Sequence, residues 1–505
     1  MKICLLNDSF PPVIDGVANV VMNYARIMTE NKNDVIVATP RYPGADYTGY
    51  TYPVVTYRSI DTTQIVNGYR AGYPLSVSAT GKLKEFGPDI IHTHCPVSST
   101  VLARLLKNET DAPVIFTYHT KFDFDIASAV KAQFLRDEVA RIMVDNISAC
   151  DEVWTVSRGA GENLKSLGYK GDYRVVSNGV DFAKGKVSQE EVEAVRAPYD
   201  IPEDVPIFLF VGRLMKYKGL PIIVDALGKL SKEGKDFRMI FVGGGTDAKE
   251  MQQRSVENGL SVDIRDEDGI IKTLSSSENP GKAIFTGPEH DREVLRAWNT
   301  LADLFLFPST YDTNGIVVRE AAACGLASVL IMDSCAAEGI EDGRNGYIIE
   351  ENADSMAALL SRIGNDRKAL KETGMHAMDE IYISWDEAVS DALKRYAEVI
   401  DLKRSGKLVH AKKEPSDHLM SAAATLIDGT RKVFDVSRDI KEGMMENMSE
   451  VREELRYEYT EIQEKYDDLK KNTAEKTEKI KQKGRDMKEK LEEDLQTAYE
   501  LKGRI

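Results

Sequence analysis

Short apolar runs of roughly four to six residues, rich in Val, Ile and Phe, recur between amphipathic stretches. KICLLN, DVIVAT, DIIHTH, PVIFTY, EVWTVS and YRVVSN form a first set; IFLFVGR, RMIFVGGG, KAIFTG, LFLFPS and ASVLIM form a second. Runs of this length without polar alternation predict strands buried on both faces, as in parallel sheets covered by helices. Two sets predict two doubly wound α/β domains.

The first set closes at Val175–Phe182, and the polar stretch Lys184–Asp204 precedes IFLFVGR, which places the interdomain boundary there. Residues 256–281, between the GGG strand and KAIFTG, are rich in Ser, Asn and Asp and read as a surface excursion. After about residue 410 strand-like runs vanish and roughly 45% of residues are charged, a level that calls for exposed helix or disorder. Within this tail Ile440, Met444, Met448, Val451, Leu455, Tyr459, Ile462, Tyr466 and Leu469 step by three and four, a narrow apolar stripe. The stripe predicts self-association through residues 430–475, with a helix lying on lipid as the alternative. Gly443 and Gly484 argue against one uninterrupted coiled coil.

With 505 residues, 42% of them hydrophobic, the chain can bury substantial cores. A formal charge of −16 argues against nucleic-acid binding, which draws its affinity from clustered Lys and Arg. Cys4, Cys95, Cys150, Cys324 and Cys335 are scattered and odd in number, with no C-x-x-C pair; they predict a reduced, cytoplasmic chain. No stretch approaches the roughly 20 apolar residues of a membrane span, so any contact with the inner face of a membrane is expected to be peripheral.

Candidate chemistry gathers at the ends of the predicted strands, where open α/β sheets hold ligands. Gly16 follows the first strand at a strand-to-helix turn, where backbone amides can meet a phosphate or sugar; the same glycine also suits the turn alone. His119 and His94 end two further strands, each a ligand contact or a structural histidine. His92 and His94 are expected on opposite faces and so not to share a metal. Arg213 and Lys218 follow the strand IFLFV, flanked by glycines; they suit a diphosphate, Arg as a fork and Lys as a point charge, or are solvated surface charges. Asp123 and Asp125 form a D-x-D read as a solvated loop, and no metal or other cofactor is expected. In PSTYDTNGIVVREAAAC, Asp312 sits in a loop and Glu320 a turn into the next helix, so the two do not form one acid–base dyad. Asp312 can accept from sugar hydroxyls or serve helix-terminus electrostatics, the amides of Asn314, Gly315 and Ile316 can face a phosphate, and Glu320 can accept from a ribose.

DSFPPVIDGVANV, DIIHTH, TYHT, SNGVD, VGRLMKYKGL and DTNGIVVREAAACG, in this order, resemble the retaining GT-B glycosyltransferases of family 4 over roughly residues 1 to 400. The resemblance implies two Rossmann-like domains facing a cleft. Residues 1–180 would bind the acceptor and 181–383 the nucleotide sugar, 384–410 would return as a helix to the first domain, and 411–505 would be a charged helical extension. It implies metal-free transfer of a sugar from a nucleotide diphosphate donor, UDP-glucose or similar, with retention of configuration. Gly16 would be a donor-facing amide, Arg213 and Lys218 the diphosphate clamp, Glu320 the ribose partner and His119 the histidine near the reacting sugar. Asp312 stands where the family commonly has Glu, beginning its E-x-7-E motif. PVIFTYHTKFDFDI is similar to enzymes that glucosylate diacylglycerol. The following segment, with Lys131, Arg136 and Arg141 among Phe134, Leu135 and Ile142, is compatible with a membrane surface or with core packing. A glycolipid acceptor is expected; a soluble sugar, a lipid-linked oligosaccharide, or an inactive scaffold acting through its tail are the alternatives.

Overall fold

The computed structural model describes residues 1–62, 69–122, 133–199, 201–266 and 268–408. Asp123, Asp125, Lys131, the stripe at 430–475 and the rest of the tail lie outside the described residues. The first unit runs β1 (Lys2–Leu6), α1 (Gly16–Glu30), β2 (Asp34–Pro40), β3 (Val54–Tyr57), β4 (Ser59–Asp61), β5 (Arg70–Gly72), α2 (Val77–Phe86), β6 (Ile90–Thr93) and α3 (Ser98–Thr110). It continues through β7 (Val114–Tyr118), α4 (Gln133–Ser148), β8 (Glu152–Thr155), α5 (Arg158–Ser166) and β9 (Arg174–Val175). Seven of its strands form a parallel sheet in the order β3-β2-β1-β6-β7-β8-β9, and β4 and β5 form a separate antiparallel pair.

The second unit runs α6 (Gln189–Arg196), β10 (Ile207–Val211), α7 (Leu220–Lys232), β11 (Arg238–Val242), α8 (Ala248–Glu257), β12 (Ser261–Arg265), β13 (Ile271–Ser275) and β14 (Lys282–Gly287). Then follow α9 (Arg292–Leu301), β15 (Leu304–Phe307), α10 (Ile316–Ala323), β16 (Ser328–Ile331), β17 (Tyr347–Ile349), α11 (Ala353–Ile363), α12 (Arg367–Glu380) and α13 (Trp385–Arg404). Its eight-stranded sheet has the order β13-β12-β14-β11-β10-β15-β16-β17.

Both sheets therefore reverse their winding once, between β1 and β6 in the first and between β10 and β15 in the second. Such switch points open a crevice outside the carboxyl ends of the strands. The apolar runs are buried on both faces because each face carries helices. Ile3 and Leu5 point into one core with α1 and α13, whereas Cys4 and Leu6 point into another with α2 and α3.

Helix α13 crosses back from the second unit and covers the first sheet. Trp385, Val389, Tyr396 and Val399 pack with Ile3, Leu5 and Trp154, and Arg395 pairs with Glu152 at 2.5 Å. A capping box of Ser384 and Glu387 starts this helix. The two crossing segments meet where Val180 pairs with Ser384, and a Cβ on Gly179 would fall 2.5 Å from the Trp385 backbone, so only glycine permits the approach.

The segment 256–281 departs from the expected surface excursion. Its first residues end α8, and its centre forms β12 and β13, the outermost strands of the second sheet. Val262 is fully buried while β13 is largely exposed, as an edge hairpin requires; the Ser and Asn residues supply its turns. The polar stretch 184–204 holds α6, begun by a Ser188–Glu191 capping box.

Because Val389 is wholly buried between α1 and the first sheet, Val389→Ala is expected to destabilise the chain by about 2 kcal/mol. Equilibrium denaturation of the full chain checks this; a change below about 0.5 kcal/mol would show that α13 is not part of the first core.

Candidate functional site

The loop from β1 into α1 is held by two carboxylates. Asp15 caps α1, accepting from the Ala18 amide at 2.7 Å, and its side chain also accepts from Ser9 and Tyr69. Asp8 accepts from the amides of Ser98 and Ser99 at the start of α3, at 3.1 and 2.8 Å, and from the Tyr57 hydroxyl. Burial still pushes its carboxyl above the usual range. Sequence reasoning passed over Asp8, whose signal was an acid directly after the first apolar run. Gly16 opens α1, and a Cβ there would meet nothing within 4 Å, so the helix end faces open space.

The histidines correct the expectation of opposite faces. Residues two apart on a strand share a face, and the His92 and His94 rings lie 4.0 Å apart between centroids. His92 is tied to Tyr396 and Thr117, while His94 Nδ1 meets His119 Nε2 at 3.0 Å. His94 Nε2 is buried without a partner among the described residues. Burial pushes the His119 imidazole down to about 3, so it is neutral at physiological pH. Among the described residues, no group of three or more His, Cys, Asp or Glu side chains is arranged to hold a metal ion.

Across the cleft, the β10 and β15 loops meet at the second switch point. Lys218 ends the 3-10 turn Lys216–Lys218, and its ammonium donates to both oxygens of Asp312, at 2.7 and 2.9 Å. The ammonium lies 5.4 Å over the Phe307 ring, and Ser309 donates to Asp312 at 2.6 Å. Gly219 makes this close approach: its φ is +78°, and a Cβ would lie 2.0 Å from the Pro308 carbonyl oxygen. Arg213 is exposed after β10 and has no ion pair among the described residues.

Helix α10 starts at Ile316 after Gly315, and no side chain caps it, leaving first-turn amides available to an anion. The Asn314 side chain is turned to the other unit, donating to the Val156 carbonyl at 3.1 Å. Glu320 is buried one turn on, held by Arg292 at 2.7 Å; Arg292 also reaches Asp181 at 3.3 Å and lies 4.8 Å over the Phe182 ring. Burial pushes the Glu320 carboxyl up, the Arg292 charge pulls it back, and Asp181 adds to the rise. Sequence reasoning did not single out Arg292, which stands in a helical stretch with nothing local to mark it.

Several hydrogen bonds among the described residues bring the two units together at this site. Thr313 donates to the His119 carbonyl at 2.6 Å, and Lys121 to the Thr310 carbonyl at 3.0 Å. Asn314 reaches Val156, and Glu338 accepts from the Arg158 and Gly159 amides at the start of α5. His119, Asp312 and Lys218 thus fall in one neighbourhood, and Glu320 follows on α10, paired with Arg292.

Two Rossmann-like units with switch-point loops turned toward a shared cleft define the GT-B class of glycosyltransferases. A family model described as "Glycosyltransferase Family 4" matches residues 14–184, and one described as "Glycosyl transferases group 1" matches residues 191–378. The chain belongs to this family of glycosyltransferases, which transfer a sugar from a nucleotide sugar. Among relatives, the alpha-monoglucosyldiacylglycerol synthase of Acholeplasma laidlawii is 21% identical over 71% of this chain and 87% of its own. The GDP-mannose-dependent alpha-mannosyltransferase of Corynebacterium glutamicum is 24% identical over 80% and 90%. The crystal structure of HepE from Anabaena in complex with UDP-glucose aligns with a TM-score of 0.55 at 19% identity, covering 79% of this chain and 99% of that one.

The neutral His119 makes stability pH-dependent. Its folded pKa of about 3 lies below the ordinary value of 6.5, so below pH 6.5 the unfolded chain takes up a proton the folded chain refuses. Stability is expected to be full above pH 6.5 and to fall toward pH 3, by up to about 1.4 kcal/mol per pH unit from this group. Denaturant midpoints at pH 7.0 and 5.0 measure it. In His119→Gln the slope is expected to shrink; an unchanged slope would remove His119 as its source.

Proposed function

We propose that this chain is a retaining, metal-independent glycosyltransferase that moves a hexose from a UDP-sugar, glucose or a close relative, to the hydroxyl of a glycolipid acceptor such as diacylglycerol. The observation that carries the donor half is the Lys218–Asp312 pair beside the uncapped start of α10. Breaking the sugar–phosphate bond builds negative charge on the departing diphosphate and positive charge on the sugar. Lys218 and the amides of Gly315 and Ile316 are a preorganised cation and dipoles for the first, and the exposed Arg213 adds a second cation, performing the task a metal performs elsewhere. The carboxylate of Asp312 faces the sugar hydroxyls and the second. Glu320, paired with Arg292, accepts from the ribose. The neutral His119 can donate a hydrogen bond to a sugar hydroxyl without adding charge. The departing phosphate takes the acceptor's proton on the same face, so no protein nucleophile is used. The complex of HepE with UDP-glucose supports the choice of donor.

A lipid acceptor is supported by the named synthase of Acholeplasma and by the rim of the first unit. Ile14, Ile60, Tyr73 and Val97 are exposed there, at 63%, 68%, 50% and 51%. Hydrogen bonds hold their neighbourhoods together: Tyr73 bonds to the Arg58 carbonyl, Ser98 to Gly72, and Tyr69 to Asp15. Exposed apolar side chains beside Arg41 and Arg58 suit an anionic lipid surface. A peripheral enzyme on the cytoplasmic side follows from this reading.

Lys218→Ala is expected to lower kcat/KM with UDP-glucose by about 100- to 1,000-fold and to abolish thermal stabilisation by UDP. Activity within tenfold of wild type would sink the clamp, and silence of the wild type across UDP- and GDP-sugars would favour an inactive scaffold. Replacing Ile60 and Tyr73 together by Asp is expected to reduce transfer to diacylglycerol in vesicles at least tenfold while leaving slow UDP-glucose hydrolysis unchanged. Equal transfer by the double variant would point to a soluble acceptor.

A further inference from the structure

The second unit holds a cavity of about 480 Å³ at the amino-terminal ends of its central strands, away from the cleft. It is lined by Ile207, the first residue of β10, and by Asp303, which precedes β15, whereas Arg213 and Pro308 follow the same two strands at the cleft. A strand of five residues separates the two by roughly 16 Å. The cavity is therefore a separate feature from the donor site.

Its charges do not balance. Of the acids, Asp303 is taken up by Arg367 at 3.2 Å and by the Ile207 amide at 2.9 Å, and Glu203 lies beside Arg196 at 3.5 Å. Arg196 also spends two donors on the Ile201 carbonyl, and Arg367 donates to the Val205 carbonyl. Lys186 and Lys371 remain, from the linker and from α12, and neither has an ion pair among the described residues. They are close enough to disturb one another: partial desolvation, then the like charge of Lys371, push the Lys186 ammonium below its ordinary value, with Asp303 opposing. Two like charges converging on an open cavity, with the nearby acids otherwise engaged, are relieved by an anion of charge near −2.

We propose that this cavity binds a phosphate-bearing small molecule, a phosphomonoester or diphosphate, between Lys186 and Lys371. Its volume lies in the range of small-ligand pockets, roughly 300–1,000 Å³, so it has room for an organic body beyond the phosphate. Leu370 and Ile207 offer that body an apolar wall. The ligand would clamp the linker to α12. Both lead into the segments that cross between the units, and Lys184 and Asp379 already pair there at 2.9 Å.

The test is a thermal-shift titration of the full chain with inorganic pyrophosphate at constant ionic strength, on wild type, the double variant K186A/K371A, and K218A. The expected result is a saturable rise of roughly 2 °C or more in wild type and K218A, absent in the double variant. The double variant alone should melt at or above the wild-type temperature, because a repulsion has been removed. A rise lost in K218A but kept in the double variant would assign the anion to the donor site and overturn the proposal. No saturable rise in wild type, or a double variant melting several degrees lower without anion, would overturn it as well. Vesicles containing phosphatidic acid carry the same phosphomonoester on a lipid; sedimentation that drops in the double variant would assign the lysines to a membrane headgroup instead.

Discussion

The hydrogen bond from Thr313 to the carbonyl of His119 joins the end of a strand in one unit to the β15–α10 connection of the other. That connection carries several of the hydrogen bonds between the units. Asn314 bonds to Val156, and Arg319 bonds to Asn314, to Ser177 and to the Ile381 carbonyl, the last two lying in the crossing segments. A loop so tied cannot shift without breaking contacts to both units, and the carboxylate of Asp312 is positioned by its neighbours on either side. Arg319 meets only neutral acceptors in these bonds, and burial pushes its guanidinium below its ordinary value. Uncharged acceptors satisfy its donors without adding a second desolvated charge to the seam.

The charged groups of the cleft mostly occur in opposed pairs. Lys218, 11% exposed, is held by Asp312, and Glu320, 8% exposed, by Arg292. A largely buried ion left alone costs several kcal/mol, and each of these has its partner in place. A donor diphosphate would share Lys218 with Asp312 instead of meeting a bare charge, which limits reorganisation on binding. Arg213, exposed and unpaired among the described residues, is the side chain free to move toward such a ligand.

How much was legible before the structure varied with the range of the interaction. Fully buried strands announce themselves as continuous apolar runs, so β1, β2, β6, β7, β8, β10 and β11 stood out. The β12–β13 hairpin closes one side of its sheet with a weak pattern and many polar residues, and segment 256–281 read as a surface excursion until its hydrogen-bond partners were known; the separate β4–β5 pair, of three residues each, gave no signal of its own. The strand-end positions of His119, Arg213 and Lys218 followed from the runs before them. Asp8 and Arg292 went unnoticed because their meaning comes from Ser98, Ser99 and Glu320, which are distant in the chain. For His92 and His94, the period of two residues already placed both rings on one face, and the spacing was misread.

The sequence by itself determined the local elements: which runs are strands, and that the chain makes two parallel α/β units with candidate chemistry in the loops after their strands. Those properties depend on neighbours within a few residues and on burial, which composition reports directly. The tertiary structure alone decided which charge meets which: that Lys218 rests on Asp312, that Arg292 rather than solvent holds Glu320, and that Lys186 and Lys371 converge on one cavity. Electrostatic partners act through space over a few ångströms, and only folding brings residues some ninety or more positions apart, such as Lys218 and Asp312, within that reach.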